Sequence, residues 1–326
     1  MKKILALSLA LVMLFALCST AFADKNVTLQ IGFQANVGSN EYAAAELFAE
    51  KVAEYSNGTI SVKIYPGAQL GDDRAMIDQV AAGALDMTFA ETGRLGLWEP
   101  ELEIFGYPFA FDDFDHLVRT ITETEYGQSI NAKLEAKGWK ILADGYNGTR
   151  QTTSNKAINS IEDMKGLKLR VPNAAANLAF ANYSGASATP MVFSEVYLSL
   201  KTNAVDGQEN PLSTIDAQKF YEVQSYCALT GHIINDNNWI ISTYIYNKLS
   251  AEQQEAVTKA AQEAAAYQTE LFTADEEALL AKFAENGMTI TTPDKAPFRE
   301  ACAPMYDEYV AQYGDAAVLA IEEARQ

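Results

Sequence analysis

The chain has 326 residues, 48% of them hydrophobic and 21% charged, which is an ordinary globular composition and long enough for roughly two domains of about 100–200 residues each. Its formal net charge of −19 argues against nucleic acid and against an anionic membrane surface, since both would repel it. An anionic small ligand would have to be held by a local cluster of arginines.

The chain opens with the basic Met1-Lys2-Lys3, then the apolar "ILALSLALVMLFAL" (4–17), shorter than the roughly 20 residues a membrane span needs. Ala21-Phe22-Ala23 before Asp24 reads as a cleavage site, so residues 1–23 are expected to be a secretory signal peptide and the mature protein to be exported and soluble. Cys18 raises lipid attachment as an alternative, but Leu17 stands where such sites carry a small residue. With Lys2 and Lys3 removed, 22 basic residues face 43 acidic ones. The mature chain keeps Cys227 and Cys302; export permits a disulfide, and free buried thiols are the simpler expectation.

"VTLQIGF" (27–33) alternates apolar and polar residues and reads as a strand. Ser39 or Asn40 caps a helix whose apolar positions run from Tyr42 to Tyr55, ended by Asn57-Gly58. "TISVKIY" (59–65) is a second strand, "GDDRAMIDQVAAG" (71–83) a helix and "LDMTFA" (85–90) a third strand. This β-α-β-α-β order predicts a mostly parallel sheet covered by helices. A helical stretch from about 113 to 136 precedes the strand "WKILADG" (139–145), and the pattern restarts near Arg150. "LKLRV" is a strand, Asn173 starts a helix to Tyr183, and "SEVYLSLKTN" (194–203) is another helix. "AVDGQEN" is a strand running into a turn, with Pro211 opening a further helix. Two apolar runs, 226–234 and 238–246, flank "NDNN". Residues 250–286 are almost all helix formers, which predicts a kink or a span across two lobes. No linker separates the halves, so the chain is expected to cross between lobes more than once.

Most catalytic signatures are absent: there is no H-E-x-x-H, G-x-S-x-G, P-loop or G-x-G-x-x-G after a strand. The two histidines are too few for a histidine-rich metal site. His116, in "DDFDH", reads as solvent-facing; His232, in an apolar run, reads as a hydrogen-bonded core residue. Enzyme function is disfavoured, no cofactor or metal is implied, and a Glu91–Asp73 acid–base pair is the only catalytic arrangement to consider. What remains is a set of polar groups at strand ends, where open α/β sheets bind ligands. Glu91, Arg150, Arg170 and the Glu209-Asn210 pair all end predicted strands. Singly each reads as a solvated loop residue; together, with two arginines suited to bidentate carboxylate recognition, they point to one cleft. Phe193, before a helix, fits the core or a ring against a ligand.

The segments "QLGDDRAMIDQVAAGALDMTFAE" (69–91), "YNGTRQTTSNKAINSIEDMKGLKLRVPNA" (146–174), "MVFSEVYLSLKTNAVDGQENPL" (191–212) and "AQKFYEVQSYCALTGHI" (217–233) resemble the substrate-binding proteins of tripartite ATP-independent periplasmic (TRAP) transporters, and within them the sialic-acid-binding branch. The resemblance runs from about Leu29 to about Tyr309. It implies an α/β, two-lobed periplasmic-binding-protein fold, each lobe a mixed sheet flanked by helices, with a long helix spanning both. It places 24–147 and 236–275 in the first lobe and 148–235 and 276–326 in the second. It further implies a periplasmic monomer that delivers sialic acid to membrane subunits. Carried over by residue, it makes Arg170 the main partner of the ligand carboxylate and Arg150 a second cation. Asn210 hydrogen-bonds the same carboxylate and Phe193 packs beside it. Glu91 and Asp73 meet the hydroxyl-bearing end, and Arg74, Glu209 and His232 form a supporting network. Gln34 departs from the Asn usual in sialic-acid binders, which keeps uronates and aldonates open.

Overall fold

The structure is a computed structural model and describes residues 25–274 and 276–325. The signal-peptide and Cys18 readings fall on residues 1–23, outside the described residues. Strands β1 (Val27–Gly32), β2 (Ile60–Tyr65) and β3 (Met87–Ala90) pair in parallel in the order β2-β1-β3. The alternation read from the sequence is real: Leu29, Ile31 and Phe33 are buried while Thr28 and Gln30 are exposed. Ser39 caps the Asn40–Tyr55 helix by accepting from the Tyr42 N–H at 3.1 Å, and Asp72 caps Asp73–Ala81 through the Ala75 N–H at 2.8 Å.

The strand expected at 139–145 is far longer. β4 (Trp139–Ser154) has 16 residues, because the polar "GYNGTRQTTS" continues extended and buried where an isolated sequence reads as a loop. Four further strands follow it: β5 (Lys168–Val171), β6 (Ser187–Pro190), β7 (Gly207–Pro211) and β8 (Tyr226–Ala228). β9 (Ile234–Ser242) and β10 (Thr289–Thr291) complete the set. The sheet path is β2-β1-β3-β9-β4-β7-β5-β6, with β8 joining β4 and β10 joining β8. β4 joins the two halves. Its first part runs antiparallel to β9, with register shifts after Ile141 and Tyr146, and β9 continues onto β3. Its last part, Arg150–Ser154, runs antiparallel to β7. β6 and β10 were not anticipated; both are short and lack a run of alternating apolar residues.

The helical stretch 113–136 is two helices, Phe114–Glu123 and Glu125–Ala136, with Thr124 between them capping the second through the Gly127 N–H at 3.0 Å. A Cβ on Gly127 would strike the carbonyls of Thr120 and Ile121, so only glycine allows this corner. The helix expected from Asn173 starts at Ala175, and Pro211 ends β7 and caps Leu212–Ala217. The helix formers of 250–286 give Ala251–Ala274 and Glu276–Glu285. The first packs on the Asn40–Tyr55 helix and β4; the second packs on the Leu212–Ala217 helix and β10, so the pair spans both lobes. Ala260, Ala261, Ala264 and Ala265 are buried, and their small size lets the helix lie close on the backbone of β4.

His116 is a correction. It is 1% exposed, its Nε2 lies 2.7 Å from the Ile321 carbonyl, and its Nδ1 accepts from the Asp112 N–H at 3.2 Å. The covering Ala316–Glu323 helix lies some 200 residues away in sequence, beyond the reach of a local reading. Cys227 and Cys302 are free and buried, and burial pushes both thiols up to about 12.

Candidate functional site

A cavity of about 530 Å³ lies between the lobes. The β2-β1-β3 side of the sheet contributes Gln34, Asp73, Arg74, Glu91 and Arg94; the β7-β5-β6 side contributes Arg170, Phe193 and Asn210; β4 and β9 contribute Asn147, Arg150 and Asn237. Glu91 follows β3 directly, and Arg170 and Asn210 lie one residue from the ends of β5 and β7, whereas Arg150, expected at a strand end, lies within β4 because that strand runs on to Ser154. Arg170 lies in β5 beside Leu169 and Val171, whose burial fixes the strand and carries the guanidinium inward. Arg150 pairs in register with Pro211, the residue after Asn210, which brings both side chains together.

The two arginines differ in what they already hold. Arg150 is 3% exposed, and its Nε and Nη2 clamp the Glu209 carboxylate, Nη2 donating to Oε1 at 2.8 Å. Nη2 also donates to the Glu209 carbonyl at 2.6 Å and to Asn210 Oδ1 at 3.1 Å. Nη1 is left over, 3.8 Å from Glu91 Oε1. Burial alone would raise the Glu209 carboxyl, but Arg150 and the His232 hydrogen bond overcome it and hold it at about 2. His232 is fully buried and stacks on Phe180 with ring centroids 3.7 Å apart. Burial lowers its pKa, so the ring is neutral: Nε2–H donates to Glu209 at 3.0 Å and Nδ1 accepts from the Thr230 hydroxyl at 2.8 Å. The core reading of His232 therefore holds, and Glu209 and His232 stand behind the cavity wall rather than on it.

Arg170 is 2% exposed and donates only to the Met191 carbonyl, from Nε at 3.2 Å and Nη2 at 2.7 Å. Its guanidinium carbon is 5.8 Å from the centroid of the Phe193 ring. Among the described residues no carboxylate lies within ion-pair distance of it. Burial is the main reason its pKa is pulled down, to about 9; Glu209 resists this and Arg150 and Arg94 add to it. At neutral pH it remains a buried cation without a counter-ion.

The opposite wall is polar. Glu91 accepts from Asn235 Nδ2 at 2.8 Å, and burial raises its carboxyl above the ordinary range against the pull of Arg150 and Arg94. Asp73 is ion-paired with Arg94, whose Nη1 is buried and unpartnered among the described residues. Arg74 lines the cavity but is exposed and makes no side-chain hydrogen bond among the described residues, which separates it from the Glu209–His232 network. Gln34 is half-buried in the lining. Sequence reasoning missed Arg94, Asn147, Asn235 and Asn237. Arg94 had a faint signal, a basic residue one helical turn beyond the strand-end Glu91.

Comparison with known proteins gives the family of the chain. Residues 31–312 match the model of DctP, bacterial extracellular solute-binding protein family 7. The chain is 49% identical to the sialic acid-binding periplasmic protein SiaP of Vibrio cholerae, over 98% of each chain. It is 33% identical to the 2,3-diketo-L-gulonate-binding periplasmic protein YiaO of Escherichia coli, over 84% of each. In structure it is similar to the sugar acid binding protein DctPAm of Advenella mimigardefordensis in complex with galactonate. That likeness has a TM-score of 0.87 at 31% identity and covers 93% of this chain and 98% of that one. The chain belongs to bacterial extracellular solute-binding protein family 7, the DctP family of TRAP-transporter solute-binding proteins.

Proposed function

We propose that the protein is a receptor for N-acetylneuraminate, which it captures between its lobes and delivers to TRAP membrane subunits. One observation carries this reading: Arg170 is buried in the cleft and, among the described residues, has no carboxylate partner. A ligand carboxylate would supply the missing charge through a two-pronged salt bridge. Arg150 contributes its remaining Nη1 edge, while Phe193 fixes the Arg170 plane. Asn210 now bridges Arg150 and Gln208, so it orients Arg150 and could turn its amide to the ligand only by giving up Gln208. Glu91, Asp73 with Arg94, Arg74 and Gln34 supply the acceptors and donors that a hydroxyl-rich tail needs. A cavity of about 530 Å³ lies within the range of about 300–1,000 Å³ typical of small-molecule sites.

The lobes divide at 24–147 with 236–275 and at 148–235 with 276–326, and the protein acts as a monomer exported by its N-terminal segment. Sialic acid is preferred over other sugar acids because the sialic-acid-binding relative is 49% identical, against 31–33% for the diketogulonate-binding and galactonate-bound ones. Gln34 favours the second reading, a uronate or aldonate receptor. Asp73 is committed to Arg94, which speaks against its use as an acid or base. Calorimetric titration with N-acetylneuraminate beside glucuronate, gluconate and succinate tests the proposal. Tight saturable binding of the first, recovered unchanged, supports it; preference for another acid, or a product, refutes it.

A further inference from the structure

The tract Asn235-Asp236-Asn237-Asn238 opens β9, the strand that pairs with both β4 and β3. All four residues are at most 4% exposed, an expensive place for four polar side chains unless each is bonded. The bonds of Asn235, Asp236 and Asn238 converge on one corner of the cleft, while Asn237 Nδ2 and Asn238 Oδ1 are buried and unpartnered among the described residues. Asn235 Nδ2 donates to Glu91 Oε1 at 2.8 Å. Asp236 accepts from the Thr92 N–H, 3.0 Å from each carboxyl oxygen, and from the Thr92 hydroxyl. Asn238 Nδ2 donates to the Ala90 carbonyl at 3.1 Å and to Thr92 Oγ1 at 2.7 Å. Thr92 starts the short Thr92–Leu95 helix that carries Arg94, and Glu91 precedes it. β9 thus grips the segment that bears two cavity-lining charges.

Asp236 has a second acid beside it. On β4, Asp144 pairs in register with Asn238, two residues along β9 from Asp236, so the two carboxyls are diagonal neighbours on one face. The charged and titratable groups on the elements packed against them include Lys140, Asp144, Tyr146 and Arg150 on β4, Glu91 and Arg94 flanking Thr92, Asp73 on the Asp73–Ala81 helix, His116 on Phe114–Glu123, Tyr244 and Tyr246 on Thr243–Tyr246, and Lys259 and Glu263 on Ala251–Ala274. Arg94 is committed to Asp73, His116 to Ile321, and Tyr146 to Thr149 and Glu276. Of the rest on Asp73–Ala81 and Phe114–Glu123, Arg74, Asp78, Asp115 and Glu123 are exposed and Arg119 bonds Ala324. Arg150 is clamped on Glu209, Lys140 pairs with Glu135 and Lys259 lies over the Tyr55 ring, so among the described residues no cation pairs with either carboxyl. The donors are divided unequally. Asp236 collects three, from Thr92 twice and from Asn238 Nδ2 at 3.1 Å. Asp144 Oδ1 receives the Asn237 N–H at 3.2 Å, while its Oδ2 is buried and unpartnered among the described residues. Two such carboxyls cannot both ionise cheaply.

We propose that Asp236 is a positioning residue for the cleft: as the carboxylate of a one-charge pair whose proton resides on Asp144, it holds the Glu91–Arg94 corner against β9, and its protonation loosens that corner. Burial raises both carboxyls, Asp144 well above the ordinary carboxylate range and Asp236 to about 7. The sign follows. Above about pH 7 Asp236 is charged and the corner is held; below it Asp236 takes up a proton, one of its acceptor lone pairs is lost, and binding weakens.

The test has one arm that does not depend on the ligand and one that rests on the sugar-acid reading. Infrared difference spectra of the ligand-free protein should show a buried protonated carboxyl at pH 8 that Asp144→Asn removes and Asp236→Asn retains. Lowering the pH should add a second one with a midpoint of about 7, absent in Asp236→Asn. Wild-type affinity for N-acetylneuraminate should then fall as much as about tenfold from pH 8 to pH 6, the fraction of ionised Asp236 setting the competent population. The limb should vanish in Asp236→Asn. Thr92→Ala, which removes only one donor, should move it to higher pH and serves if Asp236→Asn fails to fold. A band at pH 8 that survives Asp144→Asn, or a wild-type affinity profile shared by Asp236→Asn and Thr92→Ala, would overturn the proposal. Failure of the sugar acid to bind at any pH would instead refute the ligand while leaving the infrared result to decide the carboxyl pair.

Discussion

Arg150 and Arg170 are both buried, but only one of them lacks a counter-ion, and opposite stability effects follow. Replacing Glu209 by Gln strips Arg150 of its carboxylate and leaves an uncompensated buried cation, which typically costs about 3–5 kcal/mol. Replacing Arg170 by Met removes a cation that has no carboxylate partner. The ligand-free protein should therefore gain thermal stability even as it loses its ligand. Thermal denaturation of both variants checks this; a less stable Arg170→Met variant would mean that the Met191 contact is structural. For binding, loss of Arg170 leaves the ligand carboxylate buried and short of a partner. The same range of about 3–5 kcal/mol corresponds to roughly a 150- to 5,000-fold loss of affinity. The pH dependence on the basic side has a definite sign. Arg170 must be charged to hold an anion, and its proton leaves the empty site at about pH 9, well below the usual arginine range. An anion raises that value, so binding takes up a proton above pH 9. Affinity should be flat just below pH 9 and fall by up to about tenfold per unit above it. A calorimetric series that stays flat to pH 10.5 would show that the cation is solvated.

The joint between the lobes rests on close approach of the Ala251–Ala274 helix to β4. Gly145 lies so near that a Cβ there would stand 3.1 Å from the Ala265 carbonyl. Thr269 accepts from the Tyr146 N–H at 3.0 Å, and Gln268 Nε2 donates to the Tyr146 carbonyl at 3.1 Å. Enlarging the fully buried Ala264 to Leu should overpack this seam and destabilise the protein by about 1–3 kcal/mol, read as a lower urea midpoint. An unchanged midpoint would show that the seam has room. At this scale the sequence was legible where periodicity is local. β1, β2, their intervening helix and the helix formers of 250–286 follow from alternation, capping residues and composition. The strand-end rule found Glu91, Arg170 and Asn210, which lie at or beside the ends of β3, β5 and β7; Arg150, read as following a strand, lies within β4 instead. The rule missed the polar half of β4 and the buried Asn235–Asn238 tract, whose side chains look solvated until distant partners are supplied. Glu91 and Thr92 lie more than 140 positions from those partners. His116 was misread for the same reason.

Across the whole molecule, binding has to be read through the motion of the lobes. Asn36 Nδ2 reaches Gln218 Oε1 at 3.4 Å across the cavity mouth, a single exposed contact that cannot by itself hold the lobes together. A carboxylate gripped by Arg170 whose tail meets Glu91 and Arg94 would add contacts to both lobes only when they are close, and so would shift the population toward the closed form. Closure also excludes water, which strengthens each charged contact inside. Both thiols among the described residues, Cys227 and Cys302, lie buried and are pushed up to about 12, so introduced cysteines serve as the sites for spin labels. Val37 is 70% exposed beside the mouth on the first lobe, and Leu198 is 64% exposed on the Val196–Lys201 helix of the second. Labels on a Val37→Cys, Leu198→Cys variant should give a broad distance distribution without ligand that narrows toward its short end with N-acetylneuraminate. Adding Arg170→Met should keep the distribution broad at the same ligand concentration, because the differential contact that favours closure is gone. A distribution already narrow without ligand and unchanged by it would mean that the cleft is preformed, with affinity owed to the fixed arginine site alone.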